Sequence, residues 1–188
     1  MRAFACGCAL WLGAACASSP TSLPTLEPTR LPGTDGVAHD VPARAAASFT
    51  VLVFFSANCA TQRAHDQRLV ELARSYAPQG VVFFAVDSEV GSTAGQDALE
   101  ARLRHYPYPI LLDAKARLAG VLDAEYSTYC VVLDRAGHVR YHGGIDSDQI
   151  HMTSDATSYL RDALDDLLAG RAPRRPFGDT LGCSLRTE

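Results

Sequence analysis

The chain lacks any excess of charge of one sign. Lys and Arg number 17 against 21 Asp and Glu, a net charge of −4, and the basic residues are scattered. Nucleic-acid binding wants a basic stripe or face, so no nucleic-acid partner is expected. The one close basic cluster, Arg171, Arg174 and Arg175, is diluted by prolines and reads as a solvated tail. A long hydrophobic run is also missing. The most apolar stretch, AFACGCALWLGAACA, holds 15 residues, short of the roughly 20 that cross a bilayer. No internal repeat is visible. None of the six histidines stands with a cysteine at a compact metal-ligand spacing, and neither a metal nor another cofactor is expected.

What is present begins with an export signal. Met1 and Arg2 form a minimal charged start, and the short apolar stretch after them suits a secretory signal peptide. It ends in LGAAC. Small residues directly before a cysteine resemble the bacterial lipoprotein box, with Gly13 where leucine is usual. Residues 1–16 are therefore expected to be a signal with lipidation at Cys16, against plain secretion with cleavage nearby. Residues 17–30, rich in Ser, Thr and Pro, cannot bury enough surface to offset their ordering entropy and read as a tether. An exported lipoprotein of the bacterial envelope, facing the periplasm and held to the membrane by its lipid, is the expected setting.

The rest has an ordinary globular composition, 47% apolar and 20% charged. TVLVFF (50–55), VVFFAVD (81–87), PILLD (109–113) and CVVLD (130–134) are strand-like apolar runs. Helical spacing marks 60–77, 96–106 and 114–122, and a last helix is expected to be capped by Asp155 and to carry a stripe of Leu160, Ala163, Leu164, Leu167 and Leu168. VRYHG (139–143) alternates like an edge strand, with His138 and His142 solvated beside it. The order β-α-β-α-β-α-β-β-α predicts an α/β fold, a mixed central sheet flanked by helices in three layers, over 31–170. A tail, 171–188, follows.

Three cysteines remain if Cys16 carries lipid: Cys59, Cys130 and Cys183. An odd number excludes a fully stapled scaffold and leaves at least one thiol free or bonded to another chain. Cys59 lies in FFSANCATQ, where a buried strand has ended and a helix begins. Sites in open α/β sheets gather at the carboxyl ends of strands. A helix N-terminus favours thiolate over thiol, the usual setting of a reactive cysteine. Gln62 and Arg63 follow on the same helix face; Arg63 either lowers the thiol pKa further or is a solvent-facing charge.

FFSANCA, DQRLVELARSYAPQGVVFFAVDS, YPYPILLD, VVLDRAGHVRYHGGID, YLRDALDDLLAG and GCSLR, in that order, resemble the thioredoxin-like superfamily. More narrowly they resemble the redoxin branch related to alkyl hydroperoxide reductase and thiol-specific antioxidant proteins, over about residues 29–186. The resemblance implies a thiol oxidoreductase with Cys59 as attacking thiolate, acting on protein thiols or disulfides, or on peroxide, with an external thiol reductant. It also marks the loop before the 130–134 strand, where relatives usually have Thr-Pro in cis and this chain has Ser127-Thr128, a pair expected to be trans. The chain departs from thioredoxins in having Cys59-Ala60-Thr61-Gln62 for C-x-x-C. It departs from peroxiredoxins in having Leu52 at the motif's proline position. A C-x-x-x-C copper chaperone does not fit either.

With no cysteine at 62, the thiol that resolves Cys59 is Cys183, Cys130 or a partner's. Cys130 opens a buried strand and suits a core role. Cys183 sits in an exposed-looking tail with no packing reason. The eleven residues from Ala172 to Gly182 reach roughly 35 Å when extended, enough to cross the domain. Rival expectations are a degenerate binding module without turnover and a one-cysteine thiol peroxidase.

Overall fold

The computed structural model describes residues 25–187. Cys6, Cys8, Cys16 and most of the expected tether lie outside the described residues. The chain is already packed at residue 25, however. Thr25 forms a bridge to His138 and Leu26 is buried, so the expected tether is part of the domain from residue 25 onward.

A hairpin the sequence did not reveal comes first, β1 (Thr29–Pro32) with β2 (Ala38–Val41), antiparallel. Each strand has only four residues and alternates weakly. In the main sheet the strands lie side by side in the order Ile110–Leu112, Val81–Asp87, Phe49–Phe55, Cys130–Asp134, Val139–Gly143 and Phe177–Gly178. Its centre is β3 (Phe49–Phe55), all but one of whose residues are buried, paired in parallel with β4 (Val81–Asp87). A strand covered on both faces needs apolar residues at every position, hence the unbroken run. β5 (Ile110–Leu112) extends the parallel half, and β6 (Cys130–Asp134) runs antiparallel to β3. β7 (Val139–Gly143) pairs with β6 through a tight turn.

β7 is not the edge. The tail returns as β8 (Phe177–Gly178) and pairs with it in parallel. Gly143, at φ +127°, and Gly144 permit this, since a Cβ on either would run into the main chain of residues 178–179. His142 is half-buried and bonded to the Tyr129 hydroxyl at 3.0 Å rather than solvated, and burial lowers its pKa. His138 is exposed, beside Asp134.

Alternation along β3 sorts the core. Val51, Val53 and Phe55 face α1 (Ala60–Tyr76) and α4 (Tyr159–Leu168) through Leu69, Leu72, Leu160 and Leu164. Leu52 and Phe54 face the other layer, with Leu118, Ala119 and Leu122 around α3 (Arg117–Val121) and Leu26 and Val41 from the N-terminal segment. The three-layer α/β expectation holds in this form. Two helix boundaries differ from expectation. α2 (Ala94–Leu103) stops short of Pro107 because Arg104 turns inward and His105 takes φ +56°. α4 begins at Tyr159 after Ser158, so Asp155 lies in the preceding loop and caps nothing.

The basic cluster of the tail is not simply solvated. Arg171 and Arg174 both pair with Asp166, at 2.7 and 3.1 Å, and Arg175 lies over the Tyr159 ring at 4.8 Å. The Arg174 N–H and the two guanidiniums hold the Asp166 carboxyl well below the usual carboxylate range. This turn starts the tail back across the sheet. Among the described residues no helix is long and apolar enough to cross a membrane.

Candidate functional site

β3 ends at Phe55, and the chain reaches α1 through Ser56, Ala57 and Asn58. Cys59 is the N-cap of α1: its backbone is extended (φ −86°, ψ 121°) and its sulfur accepts from the Gln62 N–H at 3.5 Å. Sulfur here does what a Ser or Asp oxygen usually does at a helix start. The first turn of α1 carries no acidic residue, so nothing there offsets the positive end of the helix that faces the thiol. Cys59 is 1% exposed.

Two arginines hold the loop before it. Arg104 is buried, donates to Ala57 O at 2.9 Å, pairs with Asp66 at 3.1 Å and Glu100 at 2.8 Å, and lies over the Phe55 ring. Arg63 donates to the same Ala57 carbonyl from outside, at 3.2 Å. Its guanidinium is thus seated on the loop before Cys59. Gln62 is fully buried, donates to the Tyr106 hydroxyl at 3.2 Å and leaves its Oε1 without a partner; Tyr106 in turn donates to Asp66 at 2.5 Å. Burial pushes the Asp66 and Tyr106 pKa values up.

Cys183 closes the site from the other side. It is bonded to Cys59, with Cα atoms 5.7 Å apart, inside the range a disulfide tolerates. The tail is not a free arm here. Ser127 N donates to Cys183 O (2.9 Å), Cys183 N donates to Ser127 Oγ (3.1 Å), and Leu185 N donates to Glu125 O (2.8 Å). Tyr126 and Ser184 form an antiparallel bridge. On the opposite side Val90 N donates to Arg186 O (2.7 Å), and the Arg186 guanidinium meets Glu89 at 3.5 Å.

Thr128 touches the tail and the strand together. Its N–H donates to Phe54 O at 2.9 Å and its hydroxyl reaches Leu181 O at 3.4 Å. The Ser127–Thr128 bond is trans, since the one cis peptide among the described residues is Val41–Pro42. Thr128 sits at φ +67°, strained for a β-branched residue. Cys130 is fully buried and free, donates to Thr128 O at 3.5 Å, and has its thiol pKa pushed up by burial. It belongs to the core, as expected.

An acidic cavity of about 490 Å³ adjoins the loop, lined by Ala57, Asn58, Asp87, Glu89, Asp97 and Arg186 among others. Burial, then the Asp87 charge, raises the Asp97 pKa to about 8. Asp97 is 1% exposed and one of its carboxyl oxygens has no partner, a setting that favours the neutral form. Among the described residues no three of His, Cys, Asp or Glu converge to hold a metal ion.

Of the site residues expected from sequence, Cys59, Cys183 and Thr128 come together and Arg63 stands one turn away. Arg104 and Glu89 were missed. Glu89 carried a usable signal, two residues past the carboxyl end of β4 and beside that of β3. Arg104 carried none, because nothing in EARLRHY tells an inward arginine from a solvated one.

No family model matches the chain, and no curated protein does. Solved structures do. An uncharacterized conserved protein from Geobacillus kaustophilus is 26% identical with a TM-score of 0.79, covering 90% of this chain and 93% of that one. A proposed thiol:disulfide interchange protein DsbE from Chlorobium tepidum is 14% identical, TM-score 0.59, covering 81% and 98%. PrxQ from Xylella fastidiosa, solved as a cysteine-to-serine mutant, is 10% identical, TM-score 0.61, covering 82% and 99%. The fold is thioredoxin-like, of the kind found in redoxins.

Proposed function

We propose that the protein is a thiol–disulfide oxidoreductase of the redoxin type whose working couple is Cys59 and Cys183, exported and tethered to the bacterial envelope through Cys16. The observation that carries the redox reading is the bond between an N-cap cysteine and a cysteine on a docked tail. The anchor is supported by the LGAAC sequence, and mass spectrometry of the native N-terminus tests it.

The chemistry balances with a dithiol as reductant. Cys183 is half-buried and Cys59 is almost wholly so, so the dithiol's thiolate attacks Cys183 sulfur and Cys59 leaves as thiolate, held by the start of α1. The dithiol's second sulfur releases Cys183, and the dithiol departs as its disulfide, having given two electrons. Cys59 thiolate then attacks one sulfur of a protein disulfide. The partner's other sulfur leaves as a thiolate and takes a proton. Cys183 attacks Cys59 sulfur, releases the partner's second thiol and restores the starting bond. Run in reverse, the same couple oxidises a dithiol partner.

An intramolecular partner for Cys59 weighs against both a module without turnover and a one-cysteine peroxidase. The test is reduction of a protein disulfide such as insulin by the full chain with dithiothreitol. Turnover lost in both Cys59→Ser and Cys183→Ser is expected. Peroxide consumption that survives Cys183→Ser and vanishes in Cys59→Ser, without disulfide reduction, would move the assignment to a peroxidase.

A further inference from the structure

The tail occupies a groove with chemical requirements of its own. One wall is the strip Glu125–Ser127, which offers a carbonyl at Glu125 and an N–H and hydroxyl at Ser127; the other is Val90, which offers an N–H. Main chain on both walls is satisfied by residues 183–186 in extended form. The side chains read off four positions. A Cβ at residue 182 would run into Ser127 O and the Thr128 hydroxyl, so only glycine fits before the cysteine. The cysteine itself reaches Cys59. Ser184 is exposed and unconstrained. Leu185 packs on the core layer around Leu118 and Leu122.

The last position is electrostatic. Glu89 is held in place by Ser56 Oγ at 3.1 Å and its side chain is only 6% exposed, yet the Arg186 side chain that meets it is 66% exposed. Behind Glu89 lies the cavity of about 490 Å³ with Asp87, Asp97 and Glu100 on its wall. The tail's own arginine therefore lines the acidic cavity while its side chain stays largely exposed.

We infer that this groove is the docking site for the protein's redox partner, an extended peptide segment with glycine directly before its reactive cysteine, an apolar residue two positions after it and a basic residue three after it. This rests on the reading of Cys59 as the exchanging thiol. The tail is the resident copy of that segment. While the Cys59–Cys183 bond stands the groove is full. Once a dithiol has reduced it, the tail is held by a few hydrogen bonds, one half-buried leucine and the exposed Arg186–Glu89 pair, and a partner strand replaces it. Cys59 thiolate attacks the partner cysteine's disulfide sulfur, forming a mixed disulfide in the groove and expelling the other sulfur as thiolate. Return of Cys183 to Cys59 expels the partner cysteine, as a thiol, and its strand together.

The experiment uses the full-length chain with Cys183→Ser and, in parallel, the fully reduced wild-type chain. The probes are synthetic peptides copying residues 180–187, with the cysteine activated as a mixed disulfide with 5-thio-2-nitrobenzoate. The release of that chromophore gives the second-order rate at Cys59. A peptide with valine before the cysteine, and one with glutamate in place of the arginine, are each expected to react about tenfold slower than the parent, a difference of about 1.4 kcal/mol in activation. Glu89→Gln is expected to abolish the preference for arginine while leaving the preference for glycine. Equal rates for all three peptides, with free Ellman's reagent still reacting at Cys59, would overturn the groove and leave the oxidoreductase reading standing. Failure of Cys59 to react even with Ellman's reagent would overturn both.

Discussion

At the scale of single residues, two cysteines of one chain occupy opposite settings. Cys59 caps a helix and Cys130 is sealed in a strand where burial pushes its pKa up. In the reduced chain at neutral pH, iodoacetamide is therefore expected to modify Cys59 and Cys183 while leaving Cys130 intact until the chain is unfolded, as peptide mass mapping will show. Both positions were legible in the sequence, from a cysteine between an apolar run and a helix, and a cysteine opening an apolar run. Thr128 was legible only in part. Its place beside the site followed from the resemblance, but its positive φ and its N–H bond to Phe54 did not. Proline fixes φ near −65° and has no N–H. Thr128→Pro is thus expected to destabilise the fold by about 1–3 kcal/mol through the lost bond to the Phe54 carbonyl, read as a fall in the urea midpoint.

Two helices are pinned by titrating side chains, and these set the pH profile. His65 on α1 is buried, with Nδ1 on Thr61 O at 2.8 Å and Nε2 on Asp146 at 3.1 Å, beside Arg68 and Asp148. Burial opposes its charge, but Asp146 and the Thr61 carbonyl outweigh that and raise its pKa, while Asp146 itself is lowered. A raised histidine contributes stability that is full below its unfolded value near 6.5 and is lost as pH rises through the folded value. Asp97 on α2, raised from 3.8 to about 8, acts in the same sense, its contribution falling away between those values. Stability is expected to decline from about pH 4 through pH 8, with Asp97→Asn flattening the decline. Urea midpoints across that range check it, and a rise toward pH 8 would contradict it. None of this was visible beforehand, because His65 and Asp146 are 81 residues apart in the chain and only the packing of α1 against the loop after β7 joins them. The strands and helices themselves were legible from period and apolar runs. The four-residue β1 and β2 and the two-residue β8 were too short to show one.

Across the whole molecule, one bond ties the start of α1 to the C-terminal tail. It closes a separation of 124 residues, and restricting a loop of that length in the unfolded chain stabilises the fold by about 4–5 kcal/mol in the chain-entropy model. The oxidised chain is expected to unfold at higher urea than the reduced one by about that amount, which separates a structural contribution from a redox one. The sequence left the choice among Cys183, Cys130 and an outside thiol open because it carries no record of a tail's path. Gly143, Gly144, Gly182 and the Asp166 turn make the path, and each is a single residue without a pattern. The proposed function requires this bond to be a working couple. Equilibrating the full-length chain across a series of reduced-to-oxidised dithiothreitol ratios, then trapping with iodoacetamide and mapping the peptides, measures that directly. A single two-electron transition is expected, in which Cys59 and Cys183 gain and lose protection together and reversibly. Cys59 becoming blocked on oxidation while Cys183 stays open to alkylation would contradict it.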